Sequence, residues 1–74
     1  MTKTYEIYAP KDRAQPTAGS TRVAVAASLR DAKIRAEDEA CALPADVRHT
    51  VVVYGAGRKY WVDSRTQKWT SVLN

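Results

Sequence analysis

Within the twelve residues from Arg58 to Trp69, the chain places Arg58, Lys59, Tyr60, Trp61, Arg65, Lys68 and Trp69. Arginine and lysine neutralise phosphates or pair with carboxylates. Tryptophan offers a large apolar face that stacks on a base or anchors a protein contact. The chemistry of this cluster is recognition, and both partner classes suit it. The other reactive types are scarce. His49 is the only histidine, and its neighbours Arg48 and Thr50 supply no carboxylate to orient it, so a structural or surface role is expected. Cys41 is the only cysteine; it can form no disulfide within the chain, has no metal-ligand cluster around it, and is expected to pack as a small buried side chain. Glu37, Asp38 and Glu39 splay around a helix and cannot converge on one cation. Gly55-Ala56-Gly57 lacks the Gly-Lys-Ser/Thr ending of a phosphate loop and reads as a turn with glycines at positive φ. A binding protein without catalytic residues, metal or cofactor is the expectation.

These side chains need a scaffold that 74 residues can build, which means a single domain over 1–74 with one core. Apolar residues make up 45% of the chain and charged residues 27%, a globular balance rather than a disordered one. The net charge of +4 is unevenly spread: +4 over residues 1–36, −3 over 37–57 and +3 over 58–74. That distribution favours anionic partners at both ends of the chain. The N-terminal residues contain no apolar stretch of signal-peptide length, and no segment approaches the roughly 20 apolar residues of a membrane span, so a cytoplasmic monomer with no membrane partner is expected.

Residues 3–9 alternate Tyr5, Ile7 and Ala9 against Thr4, Glu6 and Tyr8, the period-2 pattern of a half-buried strand that Pro10 ends. Lys11 to Ser20 is a connection, and Thr21 to Ala26 alternates again. At Ser28 the period changes. Ser28 with Asp31 three residues on predicts a capped helix start. Leu29, Ala32, Ala36, Ala40 and Leu43 then form one apolar stripe, widened at an edge by Ile34 and Cys41, before Pro44 closes the helix. His49 to Tyr54, Arg58 to Asp63 and Lys68 to Leu73 read as three further strands. The order β-β-α-β-β-β predicts an α+β fold: a five-stranded antiparallel sheet with one amphipathic helix on one face and the other face open. Alternation has a consequence for the cluster. Tyr60 and Trp61 point to opposite faces, so one of them must lie on the open side.

The helix from Ser28-Leu29-Arg30-Asp31-Ala32-Lys33 through Ala36 to Cys41, followed by Gly57, two strands and the Lys68-Trp69 pair, resembles a small phage-encoded type I anti-CRISPR protein. The resemblance covers about two thirds of the chain. It implies five antiparallel strands with one helix, and a mode of action in which the inhibitor sits on the backbone subunits of a Cascade-type surveillance complex and blocks target-DNA hybridisation. In that relative, basic helix residues make the contact, and Lys33 is the position that carries over; Ile34 and Asp38 stand where the relative has basic residues. The candidate contact residues are therefore Arg30 and Lys33 on the helix with Arg58, Lys59, Trp61, Arg65, Lys68 and Trp69 on the hairpin. A small basic nucleic-acid-binding module using the hairpin alone is the competing expectation.

Overall fold

Alternating apolar residues give this chain its sheet, and a stripe of alanines gives it a helix that can lie close to that sheet. The computed structural model describes residues 4–73. Lys3, which alternation assigns to the first strand, lies outside them. The elements in order are β1 (Tyr5–Pro10), β2 (Ser20–Ala26), α1 (Leu29–Cys41), a 3-10 helix (Ala45–Thr50), β3 (Val52–Gly55), β4 (Arg58–Val62) and β5 (Trp69–Leu73). All five strands form one sheet in the order β2-β1-β3-β4-β5, with every neighbouring pair antiparallel. The α+β architecture expected from the sequence is thus the one adopted, and the strand order, which periodicity cannot supply, places β3 at the centre between β1 and β4.

Register decides which side chains share a face, because residues directly opposed across strands point the same way. Ala24, Ile7, Val53, Tyr60 and Ser71 make one such row. Ile7 and Val53 in it are fully buried beneath α1. Ala32, Ala36 and Ala40 supply the buried side of the helix, and Ala9, Leu43 and Val51 complete the core. Among the described residues, only Ile7 and Val53 combine complete burial with appreciable volume. Burying each contributes roughly 2–3 kcal/mol, a large share in so small a core.

Local chemistry sets the helix ends. Ser28 is extended at φ −133° and ψ 156°, and its Oγ accepts from the Asp31 N–H at 3.2 Å, as the sequence predicts. The far end differs from expectation. The helix stops at Cys41 rather than running to Leu43, and Pro44 opens the 3-10 helix instead of closing α1. No basic residue lies in the last turn. Arg48 reaches back instead, its Nε donating to the carbonyl oxygens of Ala40 and Leu43 at 3.2 Å each.

That reach corrects the third strand. His49 and Thr50 belong to the 3-10 helix, and β3 begins only at Val52. Thr50 Oγ1 donates to the Val47 carbonyl at 2.6 Å, so local hydrogen bonds outcompete the β-propensity of the segment. Three stripe residues also fall outside the core: Leu29 is half-buried, Ile34 is 50% exposed and Cys41 is exposed. At about 100° per residue, Ile34 stands roughly 200° from both Ala32 and Ala36, on the solvent side, and Cys41 is turned about 100° from Ala40. Cys41 is therefore not the buried packing residue that the stripe predicts.

The β3–β4 hairpin turns on Ala56 at φ 53° and Gly57 at φ 74°, the positive φ at both central residues that a type I′ turn requires. Gly57 behaves as expected. Gly55 serves another purpose: it lies in β3, where a Cβ would run into the ring of Tyr5.

Candidate binding face

The sheet face away from α1 carries two rows of opposed residues. One runs Arg22, Tyr8, Val52, Trp61, Thr70; the other runs Val25, Glu6, Tyr54, Lys59, Val72. The rings of Tyr8 and Tyr54 meet edge to face, with centroids 5.4 Å apart and planes at 89°. Trp61 lies in the row of Tyr8, with Val52 between them, and Lys59 Nζ is 5.6 Å from its ring centroid. Arg22 Nη1 pairs with Glu6 Oε1 at 2.9 Å, so the charges in these rows cancel except for that of Lys59. A shallow depression of about 450 Å³ opens between Glu6, Tyr8, Ser20 and Tyr54. With no helix over it, this face is an aromatic surface of low net charge.

The other tryptophan takes the opposite role. Trp69 pairs with Val62 on the helix side and packs against the core. Its indole Nε1 donates to Glu37 Oε1 at 3.0 Å, while Lys33 Nζ sits 5.3 Å from its ring and 6.0 Å from that of Tyr60. Lys33, the residue carried over from the resemblance, is thus half-buried in an intramolecular cluster. Arg30 is exposed one turn before it.

The hairpin cluster therefore does not form one surface. Lys59 and Trp61 face the open side, Trp69 and Lys33 the helix side, Arg58 is exposed beside the β3–β4 turn, and Arg65 and Lys68 are exposed in the β4–β5 loop. Tyr8, Tyr54 and Val52 join Trp61 without having been singled out from the sequence. Alternation already sets Tyr8 opposite Ile7. The clustering of cations near the C-terminus draws attention away from β1, and only the pairing of β1 with β3 brings Tyr8 and Tyr54 together.

The loop after β4 is held by side chains. Asp63 Oδ1 accepts from the N–H groups of Arg65 at 2.8 Å and Thr66 at 3.1 Å. These two bonds, that of Arg65 first, hold the Asp63 carboxyl below the usual carboxylate range, with smaller help from the charges of Arg65 and His49. Gln67 accepts from Arg48 Nη1 at 3.2 Å and donates to the Ala45 carbonyl at 3.3 Å. Ser64 Oγ donates to the Asp46 carbonyl at 3.1 Å and lies 2.6 Å from His49 Nδ1. Both contacts tie the loop to the 3-10 helix.

Comparison with protein-family models, with curated proteins and with solved structures finds no match to this chain. Among the described residues no helix is long and apolar enough to cross a membrane.

Proposed function

We propose that this chain is a binding protein that acts by occlusion, seating the open face of its sheet on a protein assembly. The observation that carries this reading is the gathering of Tyr8, Tyr54 and Trp61 on one uncovered face whose rows hold a single uncompensated cation, Lys59. Interface cores are rich in tryptophan and tyrosine and depleted of charge, whereas a phosphate backbone calls for a series of cations. The sequence resemblance supplies the target class: a type I CRISPR surveillance complex in the host cytoplasm, engaged at its backbone subunits so that target DNA no longer hybridises.

Mixing the purified protein with type I-C, I-E and I-F complexes and measuring target-DNA binding tests this directly. The reading expects loss of DNA binding by at least one complex, relieved by Trp61→Ala. Unchanged DNA binding by all three would remove the proposed target class. The exposed cations Arg58, Arg65 and Lys68 favour a second reading, nonspecific contact with nucleic acid. It expects a mobility shift of duplex or single strand that fades steeply with salt and survives Trp61→Ala.

A further inference from the structure

The two edges of the sheet are built differently. β2 is irregular: its register shifts between Ile7 and Tyr8, leaving Val23 without a directly opposed residue, and it carries the charge of Arg22. A bulge and a charge are the usual protections of an exposed edge. β5, at the other edge, has neither. Trp69-Thr70-Ser71-Val72-Leu73 is uncharged, contains no proline and pairs residue for residue with β4. Leu73 is 73% exposed, the highest value for a large apolar side chain among the described residues, and Val72 is 48% exposed.

The backbone of β5 shows what such an edge accepts. Counting outward from the two-residue turn at Ala56 and Gly57, hydrogen-bonded and non-hydrogen-bonded pairs alternate along each ladder. Thr70 and Val72 then direct their N–H and C=O groups toward β4, while Trp69, Ser71 and Leu73 direct theirs outward. That outward array is symmetric about Ser71. A second β5, antiparallel and centred on Ser71, meets every outward group: Ser71 opposes Ser71, and Trp69 opposes Leu73 at both ends. A one-residue slip mismatches all of them, and a two-residue slip leaves an end unpaired.

We infer that β5 is a strand-pairing surface for a second copy of this chain, giving one continuous sheet about a two-fold axis through Ser71. The side chains agree with the backbone. On the helix side the exposed Leu73 of each copy falls against Trp69 of the other, whose indole is already held by Glu37. On the open side Val72 falls against Thr70. The strand itself carries no charge, so no like charges meet within the paired β5 strands. The helix packs chiefly on β1, β2 and β3 and meets β5 through Lys33 and Glu37 at Trp69, while the outward backbone groups of Ser71 and Leu73 lie beyond it. The two-fold relation puts both aromatic faces on the same side of the joined sheet, so one dimer presents two copies of the binding face side by side.

A contact of one short strand lies at the small end of interfaces, so dissociation belongs in roughly the micromolar to millimolar range. Sedimentation equilibrium over that range, with amide exchange followed by NMR on the same samples, tests the inference on the full chain. The expected result is an average mass that climbs toward twice the chain mass, with the amides of Trp69, Ser71 and Leu73 gaining protection as concentration rises. Ser71→Glu sets like charges against each other at the two-fold and should hold the protein monomeric, with its amide spectrum elsewhere unchanged. A wild-type chain that stays monomeric throughout overturns the inference. So does dimerisation that Ser71→Glu leaves intact, or that brings no protection to the β5 amides. Loss of occlusion in a Trp61→Ala variant leaves this inference untouched, because it removes no outward group of β5.

Discussion

Trp61 lies in a row between Val52 and Thr70 on a face that no described element covers, whereas Trp69 packs against the core with its indole N–H on Glu37. The same truncation should therefore act on different quantities. Trp61→Ala is expected to weaken binding to the proposed partner by about 2 kcal/mol, roughly 30-fold, read by calorimetric titration against that complex. Trp69→Ala is expected to cost about 3 kcal/mol of folding stability, read by urea denaturation. Lys33→Glu discriminates further. Under the resemblance it abolishes inhibition, yet Lys33 packs over Tyr60 and Trp69, so a lowered denaturation midpoint would mark a structural contribution. At Asp63 the sign follows from a carboxyl held lower in the folded chain than in the unfolded one. Its stabilisation is fully present above the ordinary carboxylate value of about 3.9 and is lost as pH falls through the depressed folded value. Asp63→Asn should flatten that acid limb of the stability profile.

The elements are joined by a few directed contacts that can be removed singly. Ser28→Ala strips the N-cap from α1 and should cost about 1 kcal/mol, seen as a lowered denaturation midpoint with an unchanged slope. The β3–β4 turn holds Ala56 at φ 53°, a conformation that a Cβ penalises by roughly 1–2 kcal/mol. Ala56→Gly should recover about 1 kcal/mol of that, measurable as a rise in Tm. Gly55→Ala, one position earlier, should do the reverse, because its Cβ has no room beside the Tyr5 ring. Much at this scale is legible beforehand: the capping serine, a turn at Gly57 and the alternation in β1 are each encoded within a few residues, whereas the place of Gly55 inside β3 is not. The 3-10 helix is not. Its stability depends on Arg48 reaching the Ala40 and Leu43 carbonyls and on Gln67 and Ser64 meeting it from beyond β4, and a β-rich local composition carries no trace of those contacts.

Across the whole molecule, one thin core of alanines, Ile7, Leu43 and two valines carries a sheet whose other face is left uncovered. Ile7→Ala is expected to cost between about 2 and 5 kcal/mol, enough to unfold much of the population of so small a domain in a thermal melt. The uncovered face and the unprotected β5 edge are both places where a different fold would have added another layer or strand, and both are where partners are proposed to bind. Composition and periodicity already dictate a small antiparallel sheet with one capped helix, because strand alternation and helix stripes are properties of neighbouring residues. They also require Tyr60 and Trp61 to part company. They cannot say which of the two faces the helix, because a period of 2 leaves the choice of side open until a register is set. That choice is made when the chain passes through α1 and the 3-10 helix and brings β3 in beside β1: Val53 opposite Ile7 turns Tyr60 and Trp69 inward, and sends Trp61 outward to join Tyr8 and Tyr54. The binding face is a product of that one long-range pairing, since its residues come from strands that lie far apart in the chain and meet only in the folded sheet.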